Sequence, residues 1–194
     1  TDYFVGSQDM EPGPGWNYNL LLRPFLKGTL TPSSFAQQMV LAYKQQYQNI
    51  FAHQTQSAIK MDGYEVLEQQ VNSVATTLVS LLSSSDKKKI AALINKVRSG
   101  ESLTTSFARS QYIDLHHFYK SLRKQTETLP VQLKNSTLVI KLQDQLQVGI
   151  NILNKIIIQN TAGYNVTNAK GLSIYFPRTF IHRQYATTIF AQET

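Results

Sequence analysis

Residues 3–16 read YFVGSQDMEPGPGW and place a short apolar strand directly before a polar loop rich in glycine and proline. Tyrosine, phenylalanine and valine favour extended backbone, so a strand is predicted over residues 3–7. The alternating prolines and glycines of residues 12–15 exclude regular structure, so residues 8–16 are predicted to form a loop. Loops that leave the end of a strand commonly carry binding residues. This junction is therefore the first candidate for a functional site.

The composition is that of a folded globular protein. The chain has 194 residues, of which 42% are hydrophobic and 16% charged, a balance that excludes intrinsic disorder. This length suits one domain with a core of its own. We divide it into residues 1–61 with a strand, a loop, helices and a second strand, a helical region over 62–160, and a closing strand and tail over 161–194.

Several classes of function are excluded by simple patterns. The net charge is +7, yet the basic residues are scattered, and the run at residues 87–89 has no interleaved aromatic residues, so no nucleic-acid partner is predicted. No apolar run approaches the roughly 18 residues of a membrane span. The chain contains no cysteine, which excludes disulfides and a thiolate nucleophile within it.

The middle of the chain shows helical periodicity. A helix is predicted from Pro32 to about residue 49, followed by a strand over residues 56–61. Apolar residues then recur at spacings of three and four, which predicts a helix with one apolar stripe: Tyr64, Leu67, Val71, Val74, Leu78 and Leu81. This stripe is either a core-facing surface or a coiled-coil seam, and its length of under three heptads favours the core. The helix that follows, around Ile90 and Val97, is predicted to pack on it as an antiparallel neighbour.

Further helices are predicted over residues 112–122 and 131–152, with residues 156–158 as an extension of the second or a separate strand. Residues 171–177 read as an interior strand ended by Pro177. Strands near the two ends of the chain thus bracket a mostly helical middle. We expect the two end strands to belong to one sheet covered by helices, an α/β arrangement.

The histidines offer weak candidates for chemistry. His116 and His117 follow Asp114, but adjacent helical residues point about 100° apart and cannot easily share a metal ion. One of them is expected to face solvent and the other to pack. No Gly-x-Ser-x-Gly turn supports a serine nucleophile.

The opening loop offers a stronger candidate. Asp9 and Glu11 flank Met10, five to seven residues before Trp16. These residues form either a solvated acidic turn or a negative wall with an aromatic lid that suits a basic side chain. Spacing alone does not decide between the two.

The stretch YFVGSQDMEPGPGW resembles the segment just after the nucleophile in the clostripain family of cysteine peptidases. Residues 56–59 before Asp62 are similar to a strand-to-helix step of that family, and KGLSIYFP at residues 170–177 is similar to its late strand. The resemblance spans most of the chain, with two specific motifs in the right order. It implies an α/β fold in which this chain is the C-terminal part of a caspase-like, mainly parallel sheet flanked by helices, and hence a partial domain over residues 1–194.

The family cleaves after basic residues, often arginine, with a cysteine thiolate, a histidine next to glycine, and an acidic residue just before the cysteine that holds the basic side chain. The resemblance places all three of these groups upstream of the first motif, so no catalytic residue is expected in this chain, which is predicted to be inactive alone. Ser7 and Gln8 would border the pocket for the residue before the cut. Asp9 and Glu11 would add negative charge to that pocket, and Trp16 would cover a neighbouring subsite.

The implied partners are the upstream catalytic part of the same peptidase and a peptide or protein substrate with basic residues. The resemblance further implies a bacterial protein that is secreted or held in the cell envelope, and calcium dependence in some members, although no EF-hand-type loop is present. Two other hypotheses stay open. The chain is a noncatalytic binding module with a peptidase fold, or a helical scaffold whose stripe at residues 64–81 pairs with another protein.

Overall fold

The computed structural model describes residues 1–99 and 103–188 of the chain. The strands are β1 (Tyr3–Gly6), β2 (Thr55–Lys60), β3 (Tyr112–Asp114), β4 (Ile157–Ala162) and β5 (Ser173–Tyr175). The helices are α1 (Tyr18–Leu22), α2 (Pro32–Tyr47), α3 (Tyr64–Leu82), α4 (Lys87–Ser99), α5 (Leu115–Thr126), α6 (Val131–Lys134), α7 (Thr137–Ile156) and α8 (Arg183–Ala186). Short 3-10 helices follow α1 and β2. Residues 189–194, part of the predicted closing tail, lie outside the described residues.

The strand β2 is the centre of a three-stranded antiparallel sheet with the order β1-β2-β4. Tyr3 lies opposite Lys60 in the β1–β2 pair, and Thr55 lies opposite Ala162 in the β2–β4 pair. Residues 55–59 are all buried, as expected of a strand that is paired on both sides and covered by helices. Within the described residues, β1 and β4 are the edges of this sheet.

The prediction that the two end strands share a sheet is wrong. The late strand β5 pairs instead with β3 in a separate two-stranded antiparallel sheet, where Ile174 lies opposite Ile113. Both sides of β2 are already taken by β1 and β4, and β5 has only three residues. The late segment still reaches the first sheet, because the Ser57 hydroxyl donates to the carbonyl of Gly171 at 2.7 Å. All strand pairs among the described residues are antiparallel, in contrast to the mainly parallel sheet that the resemblance implied.

Two apolar cores hold the helices in place. The smaller core lies where Ala36 and Val40 of α2 pack on Ala58 of β2. The larger core is formed mainly by α3, α4, α5 and α7. The predicted stripe of α3 is part of this larger core, with Leu67, Val74 and Leu81 buried.

The helix packing differs from the prediction in one respect. The main neighbour of α3 is α7, which also packs on α5, whereas α4 packs more on α5 than on α3. The short connection places α4 next to α3, but neither helix is the main packing partner of the other. The apolar stripe of α3 faces α7, so it packs within the core of this chain.

Two predicted helices have different boundaries in the structure, because polar side chains cap helices at positions that were not predicted. The helix predicted from residue 112 begins instead at Leu115, where the Asp114 carboxylate accepts the backbone N–H of His117 as an N-cap. The helix predicted over residues 131–152 is divided into α6 and α7, and Ser136 caps α7. Residues 157–162 then form the separate strand β4, one of the two alternatives for this segment. No helix within residues 1–99 and 103–188 has the length and apolar composition to cross a membrane.

We predict that Gly171→Ala lowers the free energy of unfolding by about 2 kcal/mol, because left-handed backbone and close contacts both penalise a side chain there. Gly171 has a φ of 110°, and an added Cβ would lie 2.8 Å from Ser57 Cβ. The matched control is Gly13→Ala, where an added Cβ meets nothing within 4 Å. Urea denaturation of the two variants measures the difference, and equal stabilities would contradict the prediction.

Candidate functional site

The opening loop is fixed to the start of β2 by one buried hydroxyl group. Ser7 Oγ lies 2.9 Å from Thr55 Oγ1, and the backbone N–H groups of Gln8 and Asp9 donate to the same oxygen at 3.0 and 3.2 Å. Thr55 is fully buried. The chain therefore leaves β1 along a defined path, although the loop has no regular structure.

The side chain of Gln8 points into the protein. Its Nε2 donates to Asp114 Oδ2 at 2.8 Å, and its Oε1 accepts the backbone N–H of Gly171 at 2.9 Å. The N–H of Lys170 donates to the same Asp114 oxygen at 2.6 Å. Gln8 was predicted to border the substrate pocket. In the structure its amide joins the opening loop to the segment before β5.

Asp114 is the residue that sequence reasoning missed. Its carboxylate is fully buried and accepts hydrogen bonds from Gln8, Lys170 and His117. Burial raises the pKa of the Asp114 carboxyl above its ordinary value, and these three N–H donors oppose that shift. Its position one residue before a helix signals an N-cap. No local pattern indicated that the same carboxylate also meets residues 8 and 170.

The two loop carboxylates each have a fixed orientation. Both Asp9 oxygens accept the backbone N–H of Ala108, at 3.1 and 3.2 Å, and one of them also accepts the N–H of Met10. Glu11 Oε1 accepts Gln56 Nε2 at 3.1 Å. Asp9 is half-buried and Glu11 is exposed. An ionised carboxylate has about four acceptor positions, so both groups keep the capacity to bind a further donor.

The far end of the loop rests on α2. The Trp16 ring packs on Tyr43 with ring centroids 5.3 Å apart, and the Tyr47 hydroxyl donates to the carbonyl of Gly15. Gln46 Nε2 donates to the same carbonyl at 3.0 Å. Burial raises the pKa of the Tyr43 hydroxyl, with a further contribution from the nearby charge of Glu11. Trp16 is thus held at the end of the candidate site by an aromatic contact.

The adjacent histidines face different parts of the protein. His116 Nε2 is paired with Asn154 Oδ1 at 3.1 Å, and His117 Nδ1 accepts the N–H of Thr105 at 3.0 Å. Both rings are half-buried, so the expectation that one of them faces solvent is wrong. Burial lowers the pKa of both imidazoles.

The described side chains do not form a cluster of acidic, histidine or cysteine metal ligands. In the part of the chain that the structure describes, no three histidine, cysteine, aspartate or glutamate residues are grouped so that they could bind one. This finding concerns side-chain clusters only, and the calcium dependence implied by the resemblance stays a prediction.

We predict that the advantage of wild-type Asp114 over Asp114→Asn in free energy of unfolding decreases as the pH rises. A carboxyl whose pKa is raised by folding binds its proton more tightly in the folded state, which favours the folded state most below the ordinary aspartate pKa. This contribution is lost between that value and the raised one. Urea denaturation across this pH range tests it, with Asp144→Asn, an exposed aspartate of α7, as the matched loss of charge. A difference that grows with pH would contradict it.

Comparison with known proteins identifies the family of this chain. The family model described as "Clostripain family" matches residues 1–190. A search of curated proteins finds no significant match. Among solved structures, the chain is similar to a secreted C11 cysteine protease from Bacteroides thetaiotaomicron in complex with an irreversible peptide inhibitor, with a TM-score of 0.53 and 16% sequence identity.

That alignment covers 99% of this chain and 51% of the solved chain, so this chain spans about half the length of that structure. At this identity the likeness shows the fold alone, and it confirms the mixed α/β class with a largely helical middle. The match of the family model over nearly the whole sequence shows that the chain belongs to the clostripain family of peptidases.

Proposed function

We propose that this chain is the C-terminal portion of a clostripain-like cysteine endopeptidase that cleaves after arginine or lysine, and that it forms one wall of the substrate pocket. The observation that carries the proposal is a family match over residues 1–190 in a chain that contains no cysteine. A peptidase of this class requires a thiolate nucleophile and a base that activates it. Another part of the polypeptide supplies these groups, and this chain supplies binding surface.

The basic side chain of the substrate binds at the carboxylates of the opening loop. Asp9 and Glu11 lie two residues apart, and each is oriented by a donor from a different element, Ala108 and Gln56 respectively. A guanidinium presents several N–H donors in a fixed plane and pairs well with carboxylate oxygens. Ser7 and Gln8 border this pocket, and Trp16 lies at its far end.

The upstream catalytic part pairs with the free edge of β1. In the described residues β1 has only one neighbour, β2, so the other side of β1 presents unpaired backbone groups. Phe4 is 53% exposed, and a groove of about 420 Å³ runs between β1 and α2. This groove is lined mainly by apolar side chains: Tyr3, Val5, Pro32, Phe35, Ala36 and Met39, with Asp2 at one end. A strand with alternating apolar residues fits both the edge and the groove.

We further propose that the protein is exported. The support for this proposal is that the similar solved structure is described as a secreted protease.

A noncatalytic binding module is the second candidate. The opening loop is held in place by contacts within this chain alone, as a binding module requires. The two candidates differ in the natural gene product that contains this chain. The peptidase proposal requires a cysteine and a histidine next to glycine in it, and the binding module does not.

We predict that the natural gene product hydrolyses a peptidyl-arginine amide and that the 194-residue chain alone does not. The matched citrulline peptide, which lacks the positive charge, should be a poor substrate. Replacing Asp9 with Asn should raise KM for the arginine substrate about tenfold, the equivalent of one lost charge-assisted interaction. Fluorogenic release assays measure both effects.

Asp144→Asn is the control for these assays, since it removes one negative charge from α7 and leaves the opening loop intact. Turnover by the 194-residue chain alone, or equal cleavage of the arginine and citrulline peptides by the gene product, would overturn the proposed function.

A further inference from the structure

Three segments far apart in sequence meet at one buried carboxylate. Asp114 Oδ2 accepts Gln8 Nε2 and the backbone N–H of Lys170, while the Gln8 amide oxygen accepts the N–H of Gly171. We call these four residues the clamp. Asp114 Oδ1 is used separately, because it accepts the N–H of His117 at the start of α5.

The clamp contains a charge that lacks an ion-pair partner among the described residues. Asp114 is 0% exposed, so its charge is stabilised chiefly by hydrogen bonds from N–H donors. The charged or titratable groups that act on it or face the same region are His116, His117, Lys120 and Lys170. Capping a helix requires only one side-chain oxygen, and serine caps helices equally well. The second carboxylate oxygen of Asp114, which accepts two further hydrogen bonds, is therefore not needed for capping.

The opening loop is attached to two buried groups, the hydroxyl of Thr55 and the carboxylate of the clamp. Thr55 Oγ1 lies within hydrogen-bond distance of Ser7 Oγ and of the N–H groups of Gln8 and Asp9. A hydroxyl donates one hydrogen bond and accepts two, so Thr55 can bind all three groups, but these contacts reach only the Ser7 hydroxyl and the backbone of residues 8 and 9. The Gln8 side chain supplies the second attachment, one residue before Asp9, and it is the one that reaches the segment before β5.

We propose that Asp114 is a positioning residue of the substrate pocket, which acts through Gln8 to set the path of the loop that carries Asp9 and Glu11. This inference rests on the proposed function, because it concerns the wall that receives the basic side chain. Asp114 itself does not touch the substrate. Its effect is therefore on substrate binding, while the chemical step at the thiolate is left unchanged.

Two variants separate this role from helix capping. Asp114→Ser keeps a hydroxyl that can cap α5 but is too short to reach Gln8 and Lys170 as the carboxylate does. Gln8→Ala removes the link to the loop and leaves Asp114 bonded to His117 and Lys170. A purely structural Asp114 would make the two substitutions independent, whereas one shared contact makes them non-additive.

The experiment measures kcat and KM of the natural gene product on the peptidyl-arginine amide for Asp114→Ser, Gln8→Ala and the double variant. We expect each single variant to raise KM about tenfold with kcat within about twofold, and the double variant to raise KM no further. Asp144→Asn, on the exposed face of α7, is the control and should match the wild type.

Amide hydrogen exchange on the 194-residue chain gives a readout that needs no activity. Gln8→Ala should speed exchange at residues 8, 9 and 171 and leave the N–H groups of α7 as protected as in the wild type. This outcome supports the clamp even if Asp114→Ser fails to fold.

Other outcomes overturn the inference. An unchanged KM in an active gene product, additive KM effects in the double variant, or unchanged exchange at residues 8, 9 and 171 would each contradict it while the proposed function stands. A wild-type gene product that does not cleave after arginine would instead refute the proposed function, and the role of Asp114 in substrate binding with it.

Discussion

The position of the opening loop depends on hydrogen bonds to the buried carboxylate of Asp114. This carboxylate joins the end of β1, the start of α5 and the segment before β5. Along the chain, Gln8 lies 106 residues before Asp114 and Lys170 lies 56 residues after it. The two sheets meet at the same place, because Gly171 accepts from Ser57 of the first sheet while Leu172 accepts the N–H of Leu115 next to the second. A loop without regular structure is thereby held against two sheets at once.

The sequence predicted those parts of the fold that depend on local periodicity. The strand β1, the glycine- and proline-rich loop, the strand β2 and the apolar stripe of α3 all follow from patterns within a few residues. Strand pairing is a property of distant segments, and periodicity does not encode it. An interior strand was predicted over residues 171–177, but its partner was not. The partner β3 has only three residues, which the sequence pattern assigned to the start of a helix.

The candidate site could be predicted only where its residues are close together in the sequence. Ser7, Gln8, Asp9, Glu11 and Trp16 are contiguous, so a motif at residues 3–16 indicated them together. The structure adds the contacts of each side chain: Gln8 turns inward, Asp9 meets Ala108 and Trp16 packs on Tyr43. Asp114 was not predicted to belong to this site, because its link to Gln8 spans 106 residues and has no local signature. How these residues serve a substrate rests on the proposed function.

The most direct test of the proposed function is a crystal structure of the natural gene product inactivated by a peptidyl-arginine chloromethyl ketone, which alkylates the active-site thiolate. The account predicts that the inhibitor is covalently bound to a cysteine outside the 194 residues and that its guanidinium lies within hydrogen-bond distance of Asp9 or Glu11. A guanidinium bound away from residues 7–16, or a protein that the reagent does not label, would contradict it.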